Sequence, residues 1–264
     1  MNRNYVTLKS IKNNLTNTKS ATDKNRIITP LFRPISYYLT YLLMRVGFSP
    51  NKTSLLSFCV GFVGIILLSF PNKYTKILVI ICLYIWILLE YCDGNIARVL
   101  GKASFAGSII DNLNTNMIKV LMPIALGINA FLSFDRLFKF TYPLEINIIF
   151  GFMVSMLYLL SLYYGELNNK LKMTYCGNIT KKNYKRDEVY GEFIEKNKIY
   201  TILSLIFKIV MYIESYGNLG LIITITFIFF NMHLYLLLLL VIIRIIMFIL
   251  KLGGFMYIAI RLSN

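Results

Sequence analysis

Histidine, tryptophan, cysteine and acid are all scarce in this sequence. Its 264 residues hold one histidine, His233, one tryptophan and four cysteines. Cys59, Cys82, Cys92 and Cys176 lack metal-ligand spacing, which excludes a zinc site and a disulfide framework and leaves them as small apolar residues. Serine and histidine form no nucleophilic constellation, and no phosphate-binding glycine loop of the soluble nucleotide-binding kinds is present. Internal repeats are missing. The first 26 residues are polar, with no short apolar core before a small-residue cleavage site, so no cleavable signal is expected and the first span serves as insertion signal.

Charge itself is missing from the stretches 54–70, 77–89, 146–164 and 215–243. A helical span needs roughly 20 mostly apolar residues. With 57% hydrophobic residues and a mean hydropathy of +0.63, most of the chain faces lipid, and a water-soluble fold is excluded. Backbone groups in hydrocarbon require helices or a closed barrel, and these unalternated runs exclude the barrel. The fold class is therefore all-α, a bundle of about six transmembrane helices with an N-terminal interfacial helix. The expected spans are 54–70, 76–92, 108–134, 146–164, 215–231 and 233–252. The last two are expected to form a hairpin turning at Asn231 to His233, with Tyr200 to Glu214 lying along the interface as an amphipathic helix. The alternative is one long tilted span over 215–243, with Tyr200 to Ile213 as a short fifth span.

What acid there is, 12 residues against 28 Lys and Arg for a net charge of +16, is unevenly set. Arg3, Lys9, Lys12, Lys19, Lys24 and Arg26 crowd the N-terminus. Lys170, Lys172, Lys181, Lys182, Lys185, Arg186, Lys196 and Lys198 crowd the long fourth-to-fifth loop. The opposite side carries only Lys73, Lys76, Arg136 and Lys139 near span ends. This asymmetry places both termini on the cytoplasmic side of an inner membrane, and makes anionic lipid rather than nucleic acid the electrostatic partner. Residues 1–26, rich in Asn, Lys, Thr and Ser, read as a disordered extension, and 27–264 as one membrane domain. The stretch from Ile27 to Val46, closed by Gly47, Phe48, Ser49, Pro50 and Asn51, reads as an interfacial helix leading into the first span.

Polar residues return between Glu90 and Asn116 at helical spacings. Glu90 and Asp93 share one face, as do Asp111 and Thr115. A carboxylate at such depth is costly and marks a functional site facing the bundle interior. Small residues at Gly94, Ala97, Gly101, Ala103, Ala106 and Gly107 permit close approach of backbones or a ligand. Carboxylates from two helices suit hard divalent cations that bridge phosphate oxygens, and Arg98 adds a planar donor fork for the same anion. The expected chemistry is binding of a phosphate or diphosphate.

The segment E-Y-C-D-G-N-I-A-R, eight residues, then G-S-I-I-D-N-L-N-T, resembles the pattern D-x2-D-G-x2-A-R-x8-G-x3-D-x3-D of the CDP-alcohol phosphatidyltransferase family. Asp93, Gly94, Ala97, Arg98, Gly107 and Asp111 are identical to it. The upstream R-P-I-S and G-F-S-P-N-K-T-S also resemble that family's lead-in to the first span. The resemblance implies a transferase of phospholipid biosynthesis that moves a substituted phosphate from a CDP-linked donor to an acceptor alcohol, releasing CMP. It implies that Glu90, Asp93 and Asp111 are ligands of a two-metal magnesium or manganese site. Gly94, Ala97, Arg98 and Gly107 would form the floor and diphosphate contact of the nucleotide pocket. The partners implied are the donor, the acceptor and membrane lipids, and the family resemblance favours a homodimer.

Two positions depart from the pattern: Glu90 stands for Asp, and Thr115 stands for the last acid, the family's presumed general base. A longer carboxylate still binds a cation, with altered geometry. A threonine hydroxyl is no base near neutral pH, and losing a general base costs typically ~10²- to 10⁴-fold. Two functions stay open: a transferase, active or slow, and a noncatalytic relative that keeps the nucleotide or headgroup site. Elsewhere, His233 is expected to cap the turn or face headgroups. Arg244 is expected to snorkel or pair within the bundle, or to contact a phosphate-bearing acceptor. Lys119 is a counter-charge to the carboxylates.

Overall fold

A computed structural model describes residues 7–13, 29–101, 105–134, 143–179, 205–206, 209–210, 220–230 and 232–263. They form helices α1 (Leu8–Asn13), α2 (Thr29–Arg45), α3 (Pro50–Leu68), α4 (Lys73–Leu100), α5 (Phe105–Leu132), α6 (Glu145–Ile179), α7 (Gly220–Phe229) and α8 (His233–Ser263), with no strand among the described residues. Five segments are long and apolar enough to cross a membrane: Pro50–Leu68, Lys73–Leu100, Gly107–Leu132, Glu145–Leu167 and His233–Gly253. The sixth expected span, 215–231, is described only from Gly220, as α7. Most of the stretch from Tyr200 to Glu214 likewise lies outside the described residues. Helix α7 ends at Phe229 and α8 starts at His233, which fits a hairpin at that point rather than one long span.

Local chemistry sets the helix ends. The Gly47 N–H donates to the Met44 carbonyl and the Phe48 N–H to that of Leu43, with Gly47 at φ 90°, so α2 closes on a left-handed glycine cap. Ser49 caps α3 by accepting from the Lys52 N–H, with Pro50 in its first turn. Asn72 and Thr75 form a reciprocal capping box for α4, which ends at Gly101 in the left-handed conformation.

Helix α4 runs on past the expected span bound at residue 92 and carries the whole segment from Glu90 to Arg98 as unbroken helix. Its polar residues turn to α2, α3 and α5 rather than into a loop, so the helical hydrogen bonds need no interruption. Helix α6 is similarly extended: its 35 residues reach about 50 Å, beyond the roughly 30 Å hydrocarbon, so the expected loop from 165 begins as continued helix. Residues 7–13 of the N-terminal extension are among those described. Within it, α1 is helical and buries Ile11 against Met44, Ile96 and Val99, because one apolar side chain in a polar segment finds the exposed end of α4. The remainder of 1–26 lies outside the described residues.

Helix α3 packs against both α4 and α5, α5 against α6, and α6 against α8. Trp86, Leu83, Ile118, Met122, Leu126, Leu236 and Leu237 form the buried centre. Ile149, Phe152, Met156, Ile242, Ile245 and Ile249 lie exposed on the outer faces of α6 and α8, as lipid-facing helices require. Glycines set the helix separations. A Cβ on Gly61 would stand 2.6 Å from Ile118 Cδ1, one on Gly127 2.5 Å from the Asn147 carbonyl oxygen, and one on Gly151 2.5 Å from that of Pro123. The α5–α6 pair is thus a close crossing with a glycine contributed by each helix. Gly127→Leu is expected to force the backbones apart and cost about 1–3 kcal/mol or more. A detergent melting temperature within about 2 °C of the native value would refute this packing argument.

Buried polar groups on these faces find partners, as a membrane interior demands. Asn129 donates to the Leu68 carbonyl at 2.7 Å, and Ser155 to the Val120 carbonyl at 2.6 Å. His233 differs from expectation. It is 2% exposed, and neither ring nitrogen has a hydrogen-bond partner among the described residues, so it faces the bundle rather than headgroups.

Candidate active site

Helices α3, α4 and α5 meet in successive polar layers. The deepest is a closed triangle. Trp86 Nε1 donates to Asn114 Oδ1 at 3.2 Å, Asn114 Nδ2 to Ser57 Oγ at 3.0 Å, and Ser57 Oγ to the Trp86 carbonyl at 3.2 Å. Each hydrogen bond links two of the three helices, and together they fix the rotation of α4 against α5. One turn further along α4, Thr115 Oγ1 donates to Glu90 Oε1 at 3.0 Å. Beyond that, Ser54 Oγ donates to Asp93 Oδ2 at 2.7 Å, and Asp93 is 8% exposed.

Asp111 lies on the exposed face of α5, close enough to act electrostatically on both Glu90 and Asp93. Lys119 acts on Glu90 with the opposite sign, as its place two turns beyond Asp111 led one to expect. Gly94 and Ala97 are half-buried on α4, and Gly107 is half-buried in the first turn of α5. A Cβ on Gly94 would sit 3.3 Å from an Arg98 guanidinium nitrogen, so the bare backbone at Gly94 is the surface over which Arg98 lies. The structure thus brings Glu90, Asp93 and Thr115 together with two serine-bearing turns of α3, and holds Asp111 within electrostatic reach.

Among the described residues no three carboxylate, imidazole or thiol groups converge as metal ligands. Glu90 and Asp93 instead turn to the hydroxyls of Thr115 and Ser54. The donor set nonetheless fits a hard divalent cation, because it offers carboxylate and hydroxyl oxygens and no sulfur or imidazole. Three like charges in a partly desolvated place also repel one another, which a cation between them relieves.

Several polar residues escaped motif reading. Ser57 lies in an ordinary apolar run, Ser54 closes the G-F-S-P-N-K-T-S lead-in with no role assigned to it there, and Asn95 occupies a variable position of the pattern. Asn116 accepts from Tyr158 Oη at 2.6 Å. Two cations lie near the Tyr158 ring: Arg244 Cζ is 4.0 Å from its centroid and Lys119 Nζ 5.8 Å. Arg244 is 2% exposed, so it does not snorkel but faces the bundle interior from α8. The signal for this cluster was a charge inside an apolar run, which names a residue without naming its partners.

The class defined so far is a helical bundle with five segments long and apolar enough to cross a membrane, and with acids from two of its helices and an arginine gathered at one end. The family model for CDP-alcohol phosphatidyltransferase matches residues 48–260. The chain belongs to that family, whose members carry out phosphatidyl transfer between CDP-alcohol donors and alcohol acceptors in membranes and generally use a divalent metal. A comparison with curated proteins finds no match. The family match begins at Phe48, so α1 and α2, with the R-P-I-S stretch, precede it.

Proposed function

We propose that this chain is a transferase that moves a substituted phosphate from a CDP-alcohol, such as CDP-diacylglycerol, to an acceptor alcohol and releases CMP. The observation that supports it is the placement of Glu90 and Asp93 on α4 within electrostatic reach of Asp111 on α5, with Arg98 further along α4.

In this reading Glu90, Asp93 and Asp111 hold magnesium or manganese, which when bound neutralises the diphosphate and the leaving CMP. Gly94, Ala97 and Gly107 keep the floor low enough for the nucleotide, and Arg98 donates to a diphosphate oxygen. The acceptor oxygen forms its bond to the phosphorus bearing the transferred group as the bridge to CMP breaks, in line, and the acceptor hydroxyl's proton passes to water. Thr115, donating to Glu90, positions that carboxylate and does not take the acceptor's proton. Arg244, Tyr158 and Lys119 form the acceptor side, and their positive charge suits an acceptor bearing an anionic group. Arg244→Leu is expected to raise the acceptor KM about 10- to 100-fold with the donor KM unchanged. Equal changes in both would argue against that assignment.

The Thr115–Glu90 hydrogen bond favours keeping a second reading, a noncatalytic relative that retains the nucleotide site. CMP release by the purified protein in detergent separates the two. The assay supplies CDP-diacylglycerol, magnesium or manganese and a panel of alcohols with and without phosphate. Metal-dependent release establishes the transferase. Binding of CDP without release by any acceptor would leave the noncatalytic reading standing.

The charge asymmetry supports a cytoplasmic site in the inner membrane. Labelling of Ser108→Cys by a membrane-impermeant maleimide added outside intact cells would overturn this orientation.

A further inference from the structure

Asn95 is 2% exposed and lies on the face of α4 turned to α2, away from the acids. Its Nδ2 donates to Ser36 Oγ at 3.3 Å and to Thr40 Oγ1 at 3.2 Å, and both serine and threonine are fully buried. Its Oδ1 accepts from Arg98 at 2.8 Å and from Arg33 at 3.2 Å. Arg33 is itself buried, with its guanidinium 4.6 Å above the ring of Tyr91, whose hydroxyl meets that of Thr29 at 2.9 Å. One amide therefore gathers two guanidinium groups, and three residues of α2, Arg33, Ser36 and Thr40, hydrogen-bond to it.

Two cations drawn to one neutral oxygen repel each other, which costs folding energy and raises the positive potential beside Arg98. Such an arrangement is stabilised by an anion. It also fixes the plane of the Arg98 fork: Gly94 lies beneath it and Asn95 holds one amino group from the side. A planar guanidinium recognises phosphate through its orientation, so a residue that sets that orientation acts on binding without touching the ligand. Helix α2 lies outside the family match, and Asn95 stands at a variable position of the motif.

We propose that α2 is a working part of the nucleotide site: Asn95, held by Ser36 and Thr40 and shared with Arg33, positions Arg98 for the donor's diphosphate. Asn95, Arg33, Ser36 and Thr40 are positioning residues. The inference rests on the reading of Arg98 as a diphosphate contact. A loss of the amide would leave Arg98 in place but free to turn, weakening CDP binding while the acids keep their metal.

The test is a double-mutant cycle on equilibrium CDP binding by the full-length protein in detergent with manganese, using Asn95→Ala, Arg98→Ala and both together. Asn95→Ala is expected to weaken CDP binding about tenfold, and to have little further effect once Arg98 is already alanine. Thr40→Val, which removes a single acceptor and preserves shape, is expected to weaken it about threefold and serves where Asn95→Ala does not fold. Losses that are additive in the cycle, or a Thr40→Val protein that binds CDP like the native one, overturn the proposal while leaving the transferase reading intact. Failure of the native protein to bind CDP with manganese would instead overturn the reading of the site, and this inference with it.

Discussion

Asp93→Asn is expected to reduce metal-dependent CMP release by about 10³-fold or more, since charge stabilisation by a bound metal contributes several kcal/mol. Asp93 is the least exposed of the three acids and receives the 2.7 Å hydrogen bond from Ser54. Asparagine keeps the shape and accepts from Ser54 through its carbonyl oxygen, so the helices should stay packed. The loss then reports the missing charge and not unfolding. Manganese titration supplies the companion measurement: its half-saturating concentration should rise strongly in Asp93→Asn. Retention of most of the native rate at saturating manganese would sink the assignment of Asp93 as a ligand. Ser54→Ala, which frees the carboxylate without removing it, is expected to lower the rate only a few-fold.

The pair that departs from the family pattern should behave as a unit. Glu90 and Thr115 touch at 3.0 Å: the longer acid stands opposite the residue without one. Thr115→Asp alone places two carboxylates where a hydroxyl now donates, so repulsion is expected to absorb most of what a base at that position adds. Glu90→Asp alone shortens the acid and strands the threonine hydroxyl. The double variant Glu90→Asp with Thr115→Asp restores the family's arrangement. It is expected to release CMP up to ~10²-fold faster than the native protein, the lower end of what a general base contributes. Its gain should exceed the sum of the single effects by at least about fivefold, a coupling of roughly 1 kcal/mol. Rates that multiply independently in the four proteins would show that Glu90 and Thr115 are separate departures.

The exchange also shows where sequence reading stops. The motif places Glu90 and Thr115 as two independent departures 25 residues apart, because a pattern compares each position with its family counterpart and not with its neighbours in space. Their contact exists only once α4 and α5 are rotated by the Trp86–Asn114–Ser57 triangle. Asn95 is similar. In the sequence it is a variable position followed by Ile96; in the structure it joins α2 to Arg98. The span bound at residue 92 marks where polarity returns, and α4 continues through it because Asp93 and Asn95 have partners on packed helices.

What the sequence determined by itself was the class of structure, and it nominated the address of the candidate site. Long uncharged runs leave helices as the way to satisfy backbone groups in lipid, and acids recurring at helical spacing in such a run mark the place where burial of charge has a use. Both follow from one-dimensional properties, apolar length and residue spacing. Only the tertiary structure decided which groups face one another: Thr115 with Glu90, Ser54 with Asp93, Arg244 over Tyr158, and α2 against the motif helix. Those pairings depend on the rotation and separation of helices, set by glycines such as Gly61 and Gly127 and by buried amides, and rotation is a property of contacts between segments that no single segment carries.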